Sequence, residues 1–164
     1  MADISEFSQQ FREAMAHLSA AVSIVTSAGE AGKVGITVSS VCSVTDSPAT
    51  LLFCINQRSE LHDIIKQNGK VAVNVLNHEQ DELAKHFAAM LPSTMEERFA
   101  WDIWDEGYAA QPVLRHAISS LQGDIVDTHE VGTHTVFIVR LADIQTSPNH
   151  SLVYFGRQFK RVEI

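Results

Sequence analysis

The chain has 164 residues, of which 45% are hydrophobic, and its 12 Lys and Arg against 20 Asp and Glu give a formal net charge of −8 at pH 7. A length close to the usual ~150 residues per domain predicts one domain over residues 1–164, with enough apolar side chains for a core. The acidic balance argues against a general nucleic-acid surface and against docking on an anionic membrane, since both need an excess of basic side chains.

The sequence also carries signals about compartment and metal binding. No apolar stretch approaches the roughly 20 residues that cross a bilayer, and the first residues lack the basic and apolar regions of a secretory signal. Cys42 and Cys54 lie in separate β-like runs, so we interpret them as small core residues and not as a disulfide. These features predict a cytoplasmic protein. No metal site is expected, because the His residues are scattered over different predicted elements.

The first half of the chain begins with a helical pattern and continues with β patterns. Asp3 is a predicted helix cap. The apolar residues that follow it at helical spacing are Ile4, Phe7, Phe11, Met15 and Leu18. Strands are predicted over residues 21–26, 34–45 and 50–55. Ser59 is predicted to cap a short helix that ends at Gly69.

The second half is richer in strands. A strand over 71–76 precedes a helix with Leu83, Phe87 and Met90 on one face. One helical turn is predicted over 93–99. The remaining strands are predicted over residues 118–130, 134–146 and 152–155. About seven mostly consecutive strands and three helices predict an antiparallel barrel or sandwich and disfavour a doubly wound sheet.

The motifs of several common chemistries are absent. Gly29, Gly32 and Gly35 do not have the G-x-G-x-x-G spacing of a dinucleotide-binding turn, and Gly69-Lys70 is not followed by the Ser or Thr of a P-loop. There is also no G-x-S-x-G elbow of a hydrolase. Composition and spacing alone therefore indicate only a β-rich globular domain.

Several segments, taken in order, resemble the small flavin reductases that supply reduced flavin to two-component aromatic monooxygenases. The principal segments are Phe11–Met15 leading to Ala20–Val22, Gly35–Thr45, Leu52–Asn56 with Ser59, Asn74–Leu76 with His86-Phe87, and Gly132–His134. The resemblance extends through Asn74–Gln80, Met95–Phe99 and Gln111–Leu114. An ordered set that covers nearly the whole chain is more specific than any single motif within it.

The resemblance implies a mainly β fold, namely an antiparallel split β-barrel of the FMN-binding, Greek-key type with flanking helices. It implies a homodimer, with flavin near the subunit interface, that reduces FMN or FAD with NADH or NADPH. The reduced flavin would then diffuse to a separate large oxygenase component.

Three other possibilities stay open beside this reading. The run Asn74–Gln80 favours a hydroxyphenylacetate oxygenase as the partner, but partners in chlorophenol or pyrimidine degradation are alternatives. Another alternative is a split-barrel protein that holds flavin or haem without turnover. A purely structural protein is the least favoured, because that role leaves the hydroxyl-rich strand unexplained.

The resemblance also implies which residues form the site. A strand edge would hold the flavin ring through backbone groups at Thr37, Val38, Ser39, Ser40, Cys42 and Ser43. A turn would hold the flavin phosphate through backbone N–H groups, a hydroxyl and a cation at Asn56, Gln57, Arg58 and Ser59. The flavin or the NADH phosphates would be enclosed by His86, Phe87, Tyr154 and Arg157. His134 is the candidate catalytic residue, which would contact the nicotinamide or its pyrophosphate.

Each of these assignments has a purely structural alternative. The hydroxyl-rich strand could simply face solvent, Ser59 could serve only as a cap, and Phe87 could be an ordinary core residue. His134 could be a structural histidine, and Tyr154 could pack inward. From the residues alone these alternatives are stronger, and it is the resemblance that favours the site.

Overall fold

The computed structural model describes residues 4–164, so the predicted cap Asp3 lies outside the described residues. The predicted opening helix is confirmed as α1, Ile4–Met15. It ends before Leu18, and none of its side chains is buried. The apolar face of α1 is therefore largely exposed within the described chain.

One antiparallel sheet makes up most of the fold. Its strands are β2 Ser23–Gly29, β3 Gly32–Val38, β4 Cys42–Asp46, β5 Ala49–Asn56, β6 Lys70–Val75, β9 Ser119–Val131 and β10 His134–Thr146. They lie in the order β3-β2-β6-β9-β10-β5-β4. Long connections place β6 beside β2 and β10 beside β5, which is the non-consecutive strand order of Greek-key folds. The mainly β, antiparallel prediction is confirmed.

The predicted strand over residues 34–45 is interrupted, so that prediction was wrong. The link Ser39–Val41 carries the chain from β3, at one edge of the sheet, to β4, at the other edge. The Ser40 hydroxyl donates to the carbonyl of Cys54 at 3.2 Å and accepts from the N–H of Cys54 at 3.0 Å. β3 and β5 are not paired as strands. The backbone of β5 next to the link therefore receives these hydrogen bonds from a side chain and not from a neighbouring strand.

The centre of the barrel is closed by aromatic packing. Phe53 of β5 and Phe137 of β10 are directly opposite in the strand register, and their rings stack with centroids 5.1 Å apart. Neither side chain is exposed. The two cysteines do not belong to this core, which corrects our prediction for them. Cys42 is exposed on β4, Cys54 is only partly buried, and both thiols are free.

Three short helices cover the β2–β3 side of the sheet: α2 His62–Asn68, α3 Asp81–Phe87 and α4 Met95–Ala100. As predicted, α2 ends at Gly69, whose φ is 70°. Ser59 does not cap α2, however, because its hydroxyl accepts from the N–H of Leu61, which is the residue before the helix and not one within its first turn. Met90 lies beyond the end of α3 and is 62% exposed, so its predicted place on the helix face was also wrong.

Short strands complete the chain. They are β1 Ala20–Ala21, β7 Trp104–Glu106, β8 Pro112–Leu114, β11 Ser151–Phe155 and β12 Gln158–Val162. The predicted last strand is confirmed as β11, which lies between β1 and β12 in a second sheet. The sequence pattern did not identify the other four as separate strands, and three of them, β1, β7 and β8, have only two or three residues, too few to show an alternation. Within residues 4–164, no helix is long and apolar enough to cross a membrane.

Candidate functional site

Three adjoining cavities follow the end of β3 and the link after it. The first, of about 440 Å³, is lined by Thr37, Ser59 and Arg98 among others. The second, of about 180 Å³, shares Thr37 and Ala88 with the first. Because these cavities share walls, we treat them with the third, described next, as one feature, the β3 groove.

The third cavity, of about 430 Å³, forms the far end of the β3 groove. It shares Ser39 and Tyr154 with the second cavity. Arg12 of α1 and Arg157 of the β11–β12 turn also line it. The groove therefore has a guanidinium group at each end, with the edge of β3 between them.

The β3 groove brings together about half of the residues that the sequence assigned to the site. Those that line it are Thr37, Val38, Ser39, Ser40, Ser59, Phe87, Tyr154 and Arg157. They come from β3, the link, the turn after β5, the end of α3 and the C-terminal hairpin. Segments far apart in the sequence thus converge on one surface.

The wall of the groove at β3 is an edge strand. Within the described residues β3 pairs only with β2, which leaves one side of its backbone free to bind a ligand. The Thr37 hydroxyl is already used, since it donates to the carbonyl of Ala84 at 2.7 Å. Gly35 allows Phe87 to approach the strand, because a Cβ at Gly35 would lie 2.7 Å from the Phe87 ring. Backbone groups and an aromatic ring therefore define this wall.

Two residues assigned to the flavin ring do not line the groove, and a third, Val38, borders its second cavity beside the core. The Val38 side chain points into the core and is 9% exposed, so only its backbone could reach a ligand. Cys42 and Ser43 lie on β4, at the opposite edge of the sheet from β3. The break at Ser39–Val41 is the physical reason, since it separates residues that one continuous strand would have kept together.

His86 also lies apart from the groove. Its Nδ1 is 2.9 Å from the Ser93 hydroxyl, and its ring meets Trp101 edge-on at 5.0 Å. Both rings line a separate cavity of about 400 Å³. Consecutive helical residues point about 100° apart, so His86 and its neighbour Phe87 face different cavities.

We predicted that the turn Asn56–Ser59 presents free backbone N–H groups to a phosphate, and this prediction was wrong. The N–H of Gln57 donates to Thr133, the N–H of Arg58 to the Asn56 side chain, and the N–H of Ser59 to the Asn56 carbonyl. These donors stabilise the turn and are not available to a phosphate. The Ser59 hydroxyl still lines the groove, while Arg58 is exposed.

His134 is exposed at the start of β10 and lies opposite Asn56 in the strand register. Its carbonyl accepts from the Gln57 side chain at 2.9 Å, and its Nδ1 is 2.8 Å from the Thr133 hydroxyl. It therefore adjoins the turn that carries Ser59, but it does not line the groove within the described chain. Its catalytic role stays a prediction.

Sequence reasoning gave no role to Arg98, which lines the first cavity. The side chain is only 8% exposed, and this burial lowers the pKa of its guanidinium. It donates twice to Ser93, from Nε to the hydroxyl at 2.7 Å and from a terminal nitrogen to the carbonyl at 2.8 Å. The only signal in the sequence for a role of Arg98 was its place in Met95–Phe99, one of the segments that carry the family resemblance described above.

Residues 15–163 match the family model described as the flavin reductase like domain. The chain belongs to the flavin reductase family. It is 51% identical over 164 residues to the 4-hydroxyphenylacetate 3-monooxygenase reductase component of Pseudomonas aeruginosa, with 99% of this chain and 96% of that protein covered. It is also 41% identical over 157 residues to the NADH-dependent FMN reductase RutF of Bradyrhizobium diazoefficiens, with 95% and 86% covered.

A solved structure supports the same assignment. The NADH:FAD oxidoreductase of Streptomyces globisporus, in complex with NAD and FAD fragments, is 26% identical and superimposes with a TM-score of 0.86. The match covers 98% of this flavin reductase and 95% of that chain. The resemblance in the sequence and the split β-barrel prediction are both confirmed.

The β3 groove of this flavin reductase has the chemical character that a flavin requires. The free backbone edge of β3 suits the alternating nitrogens and carbonyls of a flavin ring, and the aromatic side chain of Tyr154 suits its flat face. Phe87 borders the groove but is 2% exposed and packs in the core, which is its structural alternative. The guanidinium groups at both ends suit phosphate groups. Within residues 4–164, no cluster of three or more His, Cys, Asp or Glu could hold a metal ion.

Proposed function

We propose that this protein is an NAD(P)H:flavin oxidoreductase, a single domain that reduces FMN or FAD and releases the reduced flavin to a separate large oxygenase. The observation that carries the proposal is the β3 groove, which is lined by about half of the predicted site residues along an unpaired strand edge in a chain of the flavin reductase family. The relative at 51% identity serves 4-hydroxyphenylacetate 3-monooxygenase, so we propose 4-hydroxyphenylacetate as the substrate of the partner.

The work of this chain in such a reaction is positioning. When bound, flavin supplies an acceptor for the hydride of a reduced nicotinamide. The edge of β3 would orient the ring, and the side chain of Tyr154 would shield it from water. No acid, base or nucleophile is needed from the protein, since correct placement of two reactants can by itself supply a large rate gain.

The proposal is tested by NADH oxidation at 340 nm. Purified protein with NADH and FMN or FAD is expected to consume NADH far faster than the same mixture without protein. Equal rates would overturn the proposal. Flavin that stays tightly bound and is not bleached by NADH would instead favour a storage protein of the same fold.

We propose that His134 contacts the nicotinamide or its pyrophosphate from its place beside the turn Asn56–Ser59. Replacing His134 by Ala is expected to raise the KM for NADH about 10-fold and to leave the KM for flavin nearly unchanged, because one charge-assisted hydrogen bond is lost. Initial rates with each substrate varied in turn measure the two constants. An equal rise in both constants would contradict this role.

We infer that the protein is a homodimer in the cytoplasm. Ile4, Phe7 and Phe11 on α1 are 85%, 66% and 60% exposed, and an apolar face of this kind is typical of an interface. Arg12 of the same helix lines the third cavity, so a second copy on α1 would also border the groove. The free thiols of Cys42 and Cys54 suit a reducing compartment.

Replacing Phe11 by Glu is expected to convert the dimer into monomers, because the charge would be buried in an apolar interface. Light scattering after size exclusion is expected to give twice the chain mass of 18.1 kDa for the unmodified protein and one chain mass for Phe11→Glu. Gln10→Glu adds the same charge at an exposed polar position of α1 and is expected to stay dimeric. An unmodified protein that elutes at one chain mass would refute the dimer.

A further inference from the structure

Arg98 is a buried cation that makes no ion pair within residues 4–164, although the charge of the nearby Glu97 carboxylate partly offsets the lowering of its pKa by burial. Its guanidinium donates only to Ser93 and lies 5.3 Å from the centre of the Phe87 ring. Within residues 4–164 it forms no ion pair, and the neighbouring Glu97 carboxylate instead accepts from the N–H of Thr94 at the start of α4. Burying a charge without a counter-ion is costly, so an anion is expected beside this side chain when the protein works.

The β3 groove is the place from which such an anion would approach. Arg98 lines the first cavity together with Ser59. An arginine has five N–H donors in a planar fork, and Ser93 accepts from only two of them. Among the described residues Glu60 is the only carboxylate that lines this cavity, and because it is exposed it can turn into solvent. A buried cation and a hydroxyl thus face the same end of the groove.

We propose that Arg98, with the Ser59 hydroxyl, binds the 5′-phosphate of the flavin. This inference rests on the proposed function. It assigns the phosphate-binding cation to Arg98 in place of Arg58, which is exposed and does not line the groove. Phosphate is favoured over the ring as the partner, because the planar guanidinium fork matches a dianionic oxygen group, whereas the neutral ring edge is matched by the backbone of β3. Arg12 and Arg157, at the far end, remain free for a second anionic ligand.

The test compares FMN with riboflavin, which has the same ring but no phosphate. Dissociation constants are measured by flavin fluorescence at fixed ionic strength for the unmodified protein, Arg98→Met, Arg98→Lys and the control Arg161→Met. Arg161 is exposed on β12 and pairs with Glu163, away from the groove. We expect Arg98→Met to weaken FMN binding about 10- to 100-fold, as for a lost charged hydrogen bond, and to leave riboflavin within about 2-fold.

The remaining outcomes are equally decisive. Arg98→Lys keeps the charge but loses the fork, so it is expected to weaken FMN by an intermediate factor and riboflavin not at all. Equal weakening of FMN and riboflavin in either variant would overturn the phosphate role and indicate that Arg98 only holds α4 in place. If Arg98→Met does not fold, the Arg98→Lys comparison decides.

Failure of this inference can be separated from failure of the proposed function. Flavin-dependent NADH oxidation by the unmodified protein with both FMN and riboflavin would uphold the reductase function whatever Arg98 does. A second measurement uses inorganic phosphate as the probe. It is expected to compete with FMN but not with riboflavin for the unmodified protein, and absence of competition with FMN would also overturn the proposal.

Discussion

Replacing Ala88 by Trp is expected to lower kcat/KM for flavin by about 100-fold or more, because the bulky ring displaces the flavin from its productive position. Ala88 lines both the first and the second cavity of the β3 groove, and the second is only about 180 Å³. An indole ring at this point would fill the narrow passage between Thr37 and Tyr154. The residue is exposed just after α3, so the larger side chain need not disturb the core.

The control for this substitution is Lys66→Trp. Lys66 is exposed in the last turn of α2 and does not line the groove, so the same ring there is expected to leave kcat/KM almost unchanged. Thermal unfolding is measured for both variants to show that each is folded. Activity of Ala88→Trp close to that of the unmodified protein would place the flavin elsewhere, for example in the cavity beside His86 and Trp101.

The strands that could be predicted from the sequence are those with side chains in the core. The continuous apolar run over residues 50–55 made β5 recognisable, and in the structure Leu51, Phe53 and Ile55 of that run are buried. The break at Ser39–Val41 could not be predicted in the same way. It depends on hydrogen bonds between Ser40 and Cys54, which are partners distant in the sequence.

The residues of the candidate site likewise fall into those that could be predicted from the sequence and those that could not. Ser39 and Tyr154 were assigned through family resemblance, and the structure places both in the groove although they are 115 positions apart. His86 was misplaced because neighbouring residues of a helix share a sequence motif without sharing a surface. Arg98 was missed because its importance lies in burial without an ion pair, which is a property of the packed chain and leaves no local pattern.

Replacing Phe137 by Ala is expected to lower the free energy of unfolding by about 3–5 kcal/mol. The ring is fully buried, stacks on Phe53 with an interplanar angle of 9°, and meets His62 edge-on with centroids 5.5 Å apart. Truncation leaves a cavity between β5 and β10 and removes both ring contacts. Urea unfolding measures the loss, and the melting temperature is expected to fall by about 10 °C or more for a chain of this size.

The position of Phe137 separates this effect on stability from an effect on the site. It lies inside the barrel and does not line the β3 groove, so below the transition the activity per folded molecule is expected to be retained. Phe155→Ala removes the same ring from a side chain that is 43% exposed, and its expected cost is below about 1 kcal/mol. Equal losses for the two variants would mean that the Phe53–Phe137 stack is not the centre of the core. Loss of activity by folded Phe137→Ala would mean instead that the spacing of β5 and β10 controls the turn beside His134.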